Sequence, residues 1–303
     1  MTTTTRTEIC NGHSMVGALR KVMICSPEAA GWNSPEQAAQ SPLLGFPHPP
    51  DFAVAVAQHG KLRRILELAG VEVYDLPASP DLTLDAAYAH DTSLPTDYGV
   101  VLMRPGKPNR VAEAVRQREF YESLGLPVLG AVQSPGTTEA GDMVWIDPRT
   151  LLIGHGYRTN PEGIRQMRDL LSPYGVAVLT APLPYGHGPS ACLHLMSLIS
   201  LLDEKTALVD LPWLAVETVE LLKSRGYRFI EIDSSERDTL ACNVLSLGKG
   251  RLVAIEENAR TNQRLREAGF DMRTFPGSEV CINGAGGPTC LTRPLLRDPA
   301  VAS

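Results

Sequence analysis

Apolar positions along the chain fall into a recurring order. Five times a stretch with helical spacing closes on a glycine and is followed at once by a short β-rich run. The five are LELAGVEVYDLP with Gly70, YESLGLPVLGAV with Gly125, LLSPYGVAVLTAP with Gly175, LLKSRGYRFIEID with Gly226 and LREAGFDMRTFP with Gly269. These glycines stand 55, 50, 51 and 43 residues apart. Glycine just past a helix is the common left-handed stop, and the β-rich run behind it predicts a buried strand. Ahead of the helices, paired apolar runs split by turn residues predict hairpins: MVWI before TLLIGHG, HLMSLISLL before TALVDLP and NVLSLG before RLVAIE. The predicted unit is strand, strand, helix, glycine, strand. Repeated modules of this size bury one shared core. Five without a sixth predict an α/β protein built as a closed ring of ββαβ blades. Two dinucleotide-binding halves are the competing arrangement, but no strand leads into GxGxxG, and helices follow hairpins instead of alternating singly with strands.

Composition narrows the class. The chain has 303 residues, 43% hydrophobic and 20% charged, with a formal net charge of -6. Length alone would allow two domains, yet a repeated α/β fold reaches this size as one. A single catalytic domain over 15–303 is expected behind a disordered tail at 1–14, whose opening MTTTTRTEICNG lacks the apolar centre of a secretory signal. The acidic balance argues against nucleic acid or an anionic membrane as partner. No apolar run reaches the roughly 18 residues of a membrane span. Six cysteines (Cys10, Cys25, Cys192, Cys242, Cys281 and Cys290) lie far apart, with neither CxxC nor HExxH. That pattern predicts reduced thiols in a cytoplasmic protein, with no metal site and no cofactor.

Reactive side chains gather at four turn-rich places, each entering the first strand of a predicted hairpin. AYAHDTSLPTDYG (87–99) carries His90, Asp91 and Asp97; TEAGDMVWID (138–147) carries Glu139 and Asp142. HGPSACLHLMSLIS (187–200) carries His187 and His194, and the glycine loop of CINGAGGPTCLTRPL (281–295) ends in Cys290. Singly, the aspartates read as turn formers, Glu139 as a cap or ion pair, His194 as a core histidine and Cys290 as a buried thiol. Cys192 and Cys242 fit the buried reading better, each in an apolar strand without a glycine loop. In a ring, however, equivalent module positions converge on one end of the axis. Two carboxylates there suit a planar guanidinium, and a cysteine with a histidine can attack and fragment its central carbon.

These residues bring the chain close to a known group: it resembles the guanidino-group-modifying branch of the pentein superfamily, which holds arginine deiminases, dimethylarginine dimethylaminohydrolases and amidinotransferases. The phrases that carry the resemblance run in family order from Met15 to Arg297. They are the Asp91 segment, EAGDMVWIDPRTLLIGHGYRTNPEGI, CLHL, ACNVLSLG and GGPTCLTRPL. The resemblance implies a five-bladed α/β propeller, in agreement with the repeat. It also implies Cys290 as nucleophile, His194 as general acid and base, and Asp91 with Glu139 as the guanidinium clamp. Deiminases place an arginine 19 residues after each acid to hold the substrate carboxylate, and here Arg110 and Arg158 stand 19 after Asp91 and Glu139. Asp142 and Asn243 would support the clamp or the glycine loop from behind.

One departure bears on substrate. Where deiminases and amidinotransferases show His-x-Asp, this chain has His194-Leu195-Met196. Met196 as an apolar pocket wall would deprive a free guanidinium of a charge-assisted hydrogen bond, about 1.5–3 kcal/mol. The expectation is a hydrolase of linear amidines that converts an N-methylated or N-substituted arginine to citrulline and an amine through a Cys290 thiouronium. Arginine deiminase and amidinotransferase are the alternatives among enzymes, and a non-catalytic pentein binding protein is the alternative outside them. The expected partner is a small guanidino substrate, and a homo-oligomer is compatible with it.

Overall fold

The computed structural model describes residues 13–299. The tail expected over 1–14 lies outside these residues up to position 12. His13 is in place, its ring stacked on Trp145 at 4.0 Å. Among the described residues, fifteen strands form five three-stranded sheets. The first sheet holds β1 (Leu19–Ile24) and β2 (Glu72–Asp75). Next come β3 (Ser93–Thr96), β4 (Gly99–Leu102) and β5 (Val128–Ala131), then β6 (Met143–Asp147), β7 (Thr150–His155) and β8 (Ala177–Pro182). The fourth holds β9 (Ile199–Leu201), β10 (Thr206–Val209) and β11 (Arg228–Glu231), and the fifth β12 (Leu245–Gly248), β13 (Arg251–Ile255) and β14 (Asp271–Phe275). The last strand, β15 (Arg293–Arg297), returns to pair antiparallel with β1.

Every sheet repeats one pattern: an antiparallel pair, a hairpin in all but the first sheet, then a strand added in parallel to its second member. The parallel crossover is made by a helix each time: α1 (Phe52–Leu68), α2 (Val111–Ser123), α3 (Pro161–Leu171), α4 (Val216–Ser224) and α5 (Ala259–Glu267). Local chemistry starts them. Asp51 caps α1 by accepting from Val54 N–H at 3.0 Å, and Asn160 caps α3 through Gly163 N–H at 2.8 Å with Pro161 as first residue. The five glycines behind the helices all take positive φ, from 71° at Gly125 to 95° at Gly269, where a side chain would be strained.

The ββαβ grammar therefore holds with one amendment. The opening strand of the first blade is the last segment of the chain, so the two ends close the ring together. Apolar clusters straddle neighbouring sheets all the way round. Leu94 and Val101 pack with Met143 and Leu151, and Val144 and Leu152 with Ile199 and Val209. Leu208 packs with Leu252, and Leu245 and Val253 share a cluster with Val22, Ile24 and Val100. No sheet buries both faces without its neighbours. Two predicted strands begin late. His194–Ser197 forms a tight turn ahead of β9, with His194 N–H on Ser197 Oγ at 3.1 Å, and Asn243 precedes β12. Their polar side chains serve the ring axis instead of a ladder. Among the described residues no helix is long and apolar enough to cross a membrane.

Candidate active site

Each blade contributes one side chain from the turn before its first strand: Asp91, Glu139, His194, Asn243 and Cys290, before β3, β6, β9, β12 and β15. Asp91, Arg110, Arg158, His194, Asn243 and Cys290 line one cavity of about 340 Å3. Glu139 and Asp142 lie directly behind that wall, both fully buried.

The glycine loop explains how Cys290 gets there. A Cβ on Gly284 would sit 1.6 Å from Tyr88 Oη, and one on Gly287 would sit 2.5 Å from Asn243 Cγ. Only bare backbone can pass this close, so the loop lies flat on Tyr88 and Asn243 and turns Cys290 into the cavity. Asn243 then fastens both sides of the turn. Its Oδ1 accepts from Thr289 N–H at 3.0 Å, and its Nδ2 donates to Cys290 Sγ at 3.1 Å. Asn243 thus touches the thiol itself, closer than the supporting role expected of it. Burial, then the nearby Asp91 and Cys192, push the Cys290 thiol up to about 12, against smaller opposite pulls from His194 and Asn243.

Glu139 organises His194. His194 Nε2 lies 2.7 Å from Glu139 Oε2, Arg158 donates to both carboxylate oxygens at 3.2 and 3.0 Å, and Gly106 N–H adds a bond at 2.9 Å. Burial alone would raise this carboxyl, but His194 and Arg158 hold it down to about 2. Burial likewise works against the His194 charge, and the surrounding Cys192, Asp91 and Asp142 carry it well above 6.5. Glu139 faces His194 and Arg158 and does not line the cavity. Of the two clamp carboxylates expected, Asp91 is the one that does.

Asp91 is itself fixed by Arg110 Nη1 at 2.6 Å and Gly141 N–H at 3.0 Å. Gly141 lies flat against the site, where a Cβ would meet His194 Nδ1 at 2.5 Å. Burial raises the Asp91 carboxyl and the charges of His194 and Arg110 overcome it, leaving it well below the usual carboxylate range. Arg110 also forks onto Glu113 at 2.9 and 2.8 Å and donates to the Tyr88 carbonyl at 2.8 Å. Asp142 accepts from Thr159 Oγ1 at 2.6 Å and Leu195 N–H at 2.9 Å, and burial pushes it up to about 6. It ties the third blade to the turn that carries His194.

Two further expectations are corrected. Met196 belongs to an apolar cluster with Leu195, Leu198 and Ile199 and is not in the cavity wall. The turn after His194 carries its side chain into the core, so Met196 cannot face a guanidinium. Cys192, read as buried, is exposed and lines the cavity two residues before His194. The tight turn rather than a strand in this segment is what frees it. His187 also lines the cavity, while His90 is buried with Nδ1 on the Thr292 carbonyl at 2.9 Å.

Asp91, Glu139 and His194 each offer a ligand atom within 4.8 Å of the others. Arg110 already sits on Asp91, and Arg158 and His194 on Glu139, so the ligand atoms are engaged with one another and with arginines. The cluster reads as an ion-pair network.

The family model described as arginine deiminase matches residues 79–217 and 210–297. The chain belongs to the arginine deiminase family. Within reach of this family, the N(G),N(G)-dimethylarginine dimethylaminohydrolase of Pseudomonas aeruginosa is 27% identical over 244 residues, 80% of this chain and 89% of that protein. The crystal structure of a dimethylarginine dimethylaminohydrolase adduct with 4-chloro-2-hydroxymethylpyridine is similar with a TM-score of 0.71 at 25% identity, over 91% of this chain and 99% of the other. An amidinotransferase from Microseira wollei, SxtG, reaches a TM-score of 0.76 over 98% and 99% of the two chains. Its identity is 19%, so that likeness is one of fold. The arginine deiminase family thus shares the pentein ring with the five sheets seen here.

Proposed function

We propose that the protein is a hydrolase of linear amidines that opens the guanidino group of an arginine-type amino acid and leaves a ureido product such as citrulline. An N-methylated arginine is the first candidate. The observation that carries the reading is the convergence of Cys290, His194 and Asp91 on one cavity, with Arg158 in the same wall. Asp91 receives two guanidinium N–H groups as the substrate enters. The bound cation lowers the Cys290 thiol from its resting value, so substrate helps create its own nucleophile. Cys290 releases its proton to solvent as the cation arrives, Sγ bonds to the guanidinium carbon, and the C–N bond to the amine breaks as His194 gives that nitrogen a proton. His194 then takes a proton from water, the hydroxide adds to the thiouronium carbon, and collapse expels Cys290, whose sulfur takes up the hydroxyl proton as the ureido carbonyl forms.

Preference for a substituted guanidine now rests on the clamp rather than on Met196. Glu139 is sealed behind His194 and Arg158, so of the two clamp carboxylates expected only Asp91 lines the cavity. An N-methylated group has fewer donors left unsatisfied there, and the relative in Pseudomonas aeruginosa bears the name of an enzyme for such a substrate. A panel of arginine, mono- and dimethylarginine, agmatine and short guanidino acids, scored for ureido product and released amine, tests this. Methylarginine turnover with citrulline formed supports the reading. Product that appears only when an amine acceptor is added would replace it with a transferase, and no turnover on the panel would remove it.

A further inference from the structure

The acid–base histidine is held on both sides. Its Nε2 meets Glu139, and its other nitrogen, Nδ1, lies 3.8 Å from Cys192 Sγ. Cys192 and His194 both line the cavity, so the sulfur stands on the side from which substrate comes. Cys25, Cys242 and Cys281 are buried. Asp91, Asp142, Glu139, Cys290 and His90 are the other charged or titratable groups around this ring, and Arg158 faces the thiol.

We infer that Cys192 is a positioning residue for His194, its thiolate pairing with the imidazolium in the resting site and keeping the ring charged until the leaving amine takes a proton. This inference rests on the guanidino-hydrolase reading for its role in turnover. The resting pair forms by one proton leaving Cys192 Sγ and binding His194 Nδ1, with no change in net charge and no oxidant. Crowding by the surrounding protein raises the Cys192 thiol. The charge of His194, the contact with it and Arg158 outweigh that and leave the thiol below its ordinary value. The two thiols of the cavity are thus tuned in opposite directions. In the inferred pair Cys192 carries the charge beside the histidine, while Cys290 is the thiol that a bound cation must activate.

Alkylation of the unliganded protein by iodoacetamide, read peptide by peptide by mass spectrometry across acid to neutral pH, tests the pair without any substrate. Thiolate is the reacting form, so Cys192 should be modified at least about tenfold faster than Cys290 at neutral pH. His194→Gln should slow Cys192 about tenfold, the factor that one pKa unit represents. Equal rates at the two thiols, or a Cys192 rate indifferent to His194→Gln, would overturn the pair. In turnover, Cys192→Ala and Cys192→Ser should each bring the alkaline limb of kcat/KM down by about one pH unit, because His194 must be protonated to expel the amine. Cys192→Asp should restore the limb by resupplying an anion. Alkaline limbs identical in all three variants would overturn the role in turnover. Absence of turnover on any guanidino compound would instead defeat the hydrolase reading, and the alkylation rates would still decide the pair.

Discussion

Two acid–arginine pairs are made by the same module grammar and come out differently. Asp91 with Arg110 and Glu139 with Arg158 share the same sequence spacing and form direct ion pairs at 2.6 and 3.0 Å. Arg110 has Glu113 three positions on, forks onto it and reaches the Tyr88 carbonyl, so four of its N–H groups are spent inside the protein. Three positions after Arg158 stands Pro161, the first residue of α3, which offers no carboxylate. Among the described residues the hydrogen bonds of Arg158 go to Glu139 alone. The acid open to the cavity is therefore gripped by an arginine with four of its five N–H groups spent, and the arginine with more spare donors is gripped by a sealed acid. In the proposed reaction one repeat yields complementary halves, an anion for the guanidinium end of the substrate and a cation for its carboxylate end.

Breaking the Arg110 half should cost most. Glu113→Ala leaves Asp91 as the one carboxylate hydrogen-bonded to the buried Arg110 and should destabilise the fold by about 3–5 kcal/mol in chemical denaturation. A loss under about 1 kcal/mol would mean that Arg110 is not dependent on Glu113, and the contrast between the pairs would fall. The open half is tested in binding. Arg158→Ala should raise KM about 10- to 150-fold for a guanidino α-amino acid, the worth of one charge-assisted hydrogen bond. Agmatine, which lacks the carboxylate, should be nearly indifferent to it. Equal effects on both would show that Arg158 acts through Glu139 and not on substrate.

The sealed acid makes a pH statement. Glu139 is held at about 2 against an ordinary 4.5 by His194 and Arg158. The stability it contributes is present above the ordinary value and lost as pH falls from about 4.5 toward 2. Acid unfolding of Glu139→Gln should show a shallower dependence on pH over that window than the wild type, and superimposable curves would contradict the pairing. Smaller again, Asn243→Ala removes the bonds to Cys290 Sγ and Thr289 N–H. It should lower kcat roughly tenfold, about 1–1.5 kcal/mol. Smallest is Met196→Leu, a swap inside an apolar cluster that should cost under about 1.5 kcal/mol and leave the ratio of methylarginine to arginine turnover unchanged. A changed ratio would return Met196 to the cavity.

Much of this was legible in the residues because it was written locally. A glycine after each helix fixes where the chain turns back, and all five take the left-handed conformation that needs glycine. Reactive side chains just before the first strand of each blade converge because the ring makes equivalent positions neighbours. What was hidden depends on direction and closure. No local signal in LTRPL says that it completes the first blade with β1, since that pairing spans the whole chain. Alternation made Met196 and Cys192 look like members of one strand. A tight turn at His194–Ser197 sends Met196 to the core and Cys192 to the cavity. The polar His194 opening an otherwise apolar run, with Ser197 three positions on, was the signal for that turn. Glu139 and Asp91 look equivalent in sequence and both are buried, and only the folded ring separates the acid that holds His194 from the acid that lines the cavity.

The central claim is that Cys290 attacks the guanidinium carbon, and rapid acid quench of the protein turning over a methylarginine, followed by peptide mass spectrometry, tests it directly. A substrate-derived mass should appear on the peptide that contains Cys290 and be absent from Cys290→Ser, which should remain folded and inactive. A mass on the peptides of Cys192, Cys242 or Cys281, or turnover surviving in Cys290→Ser, would contradict it.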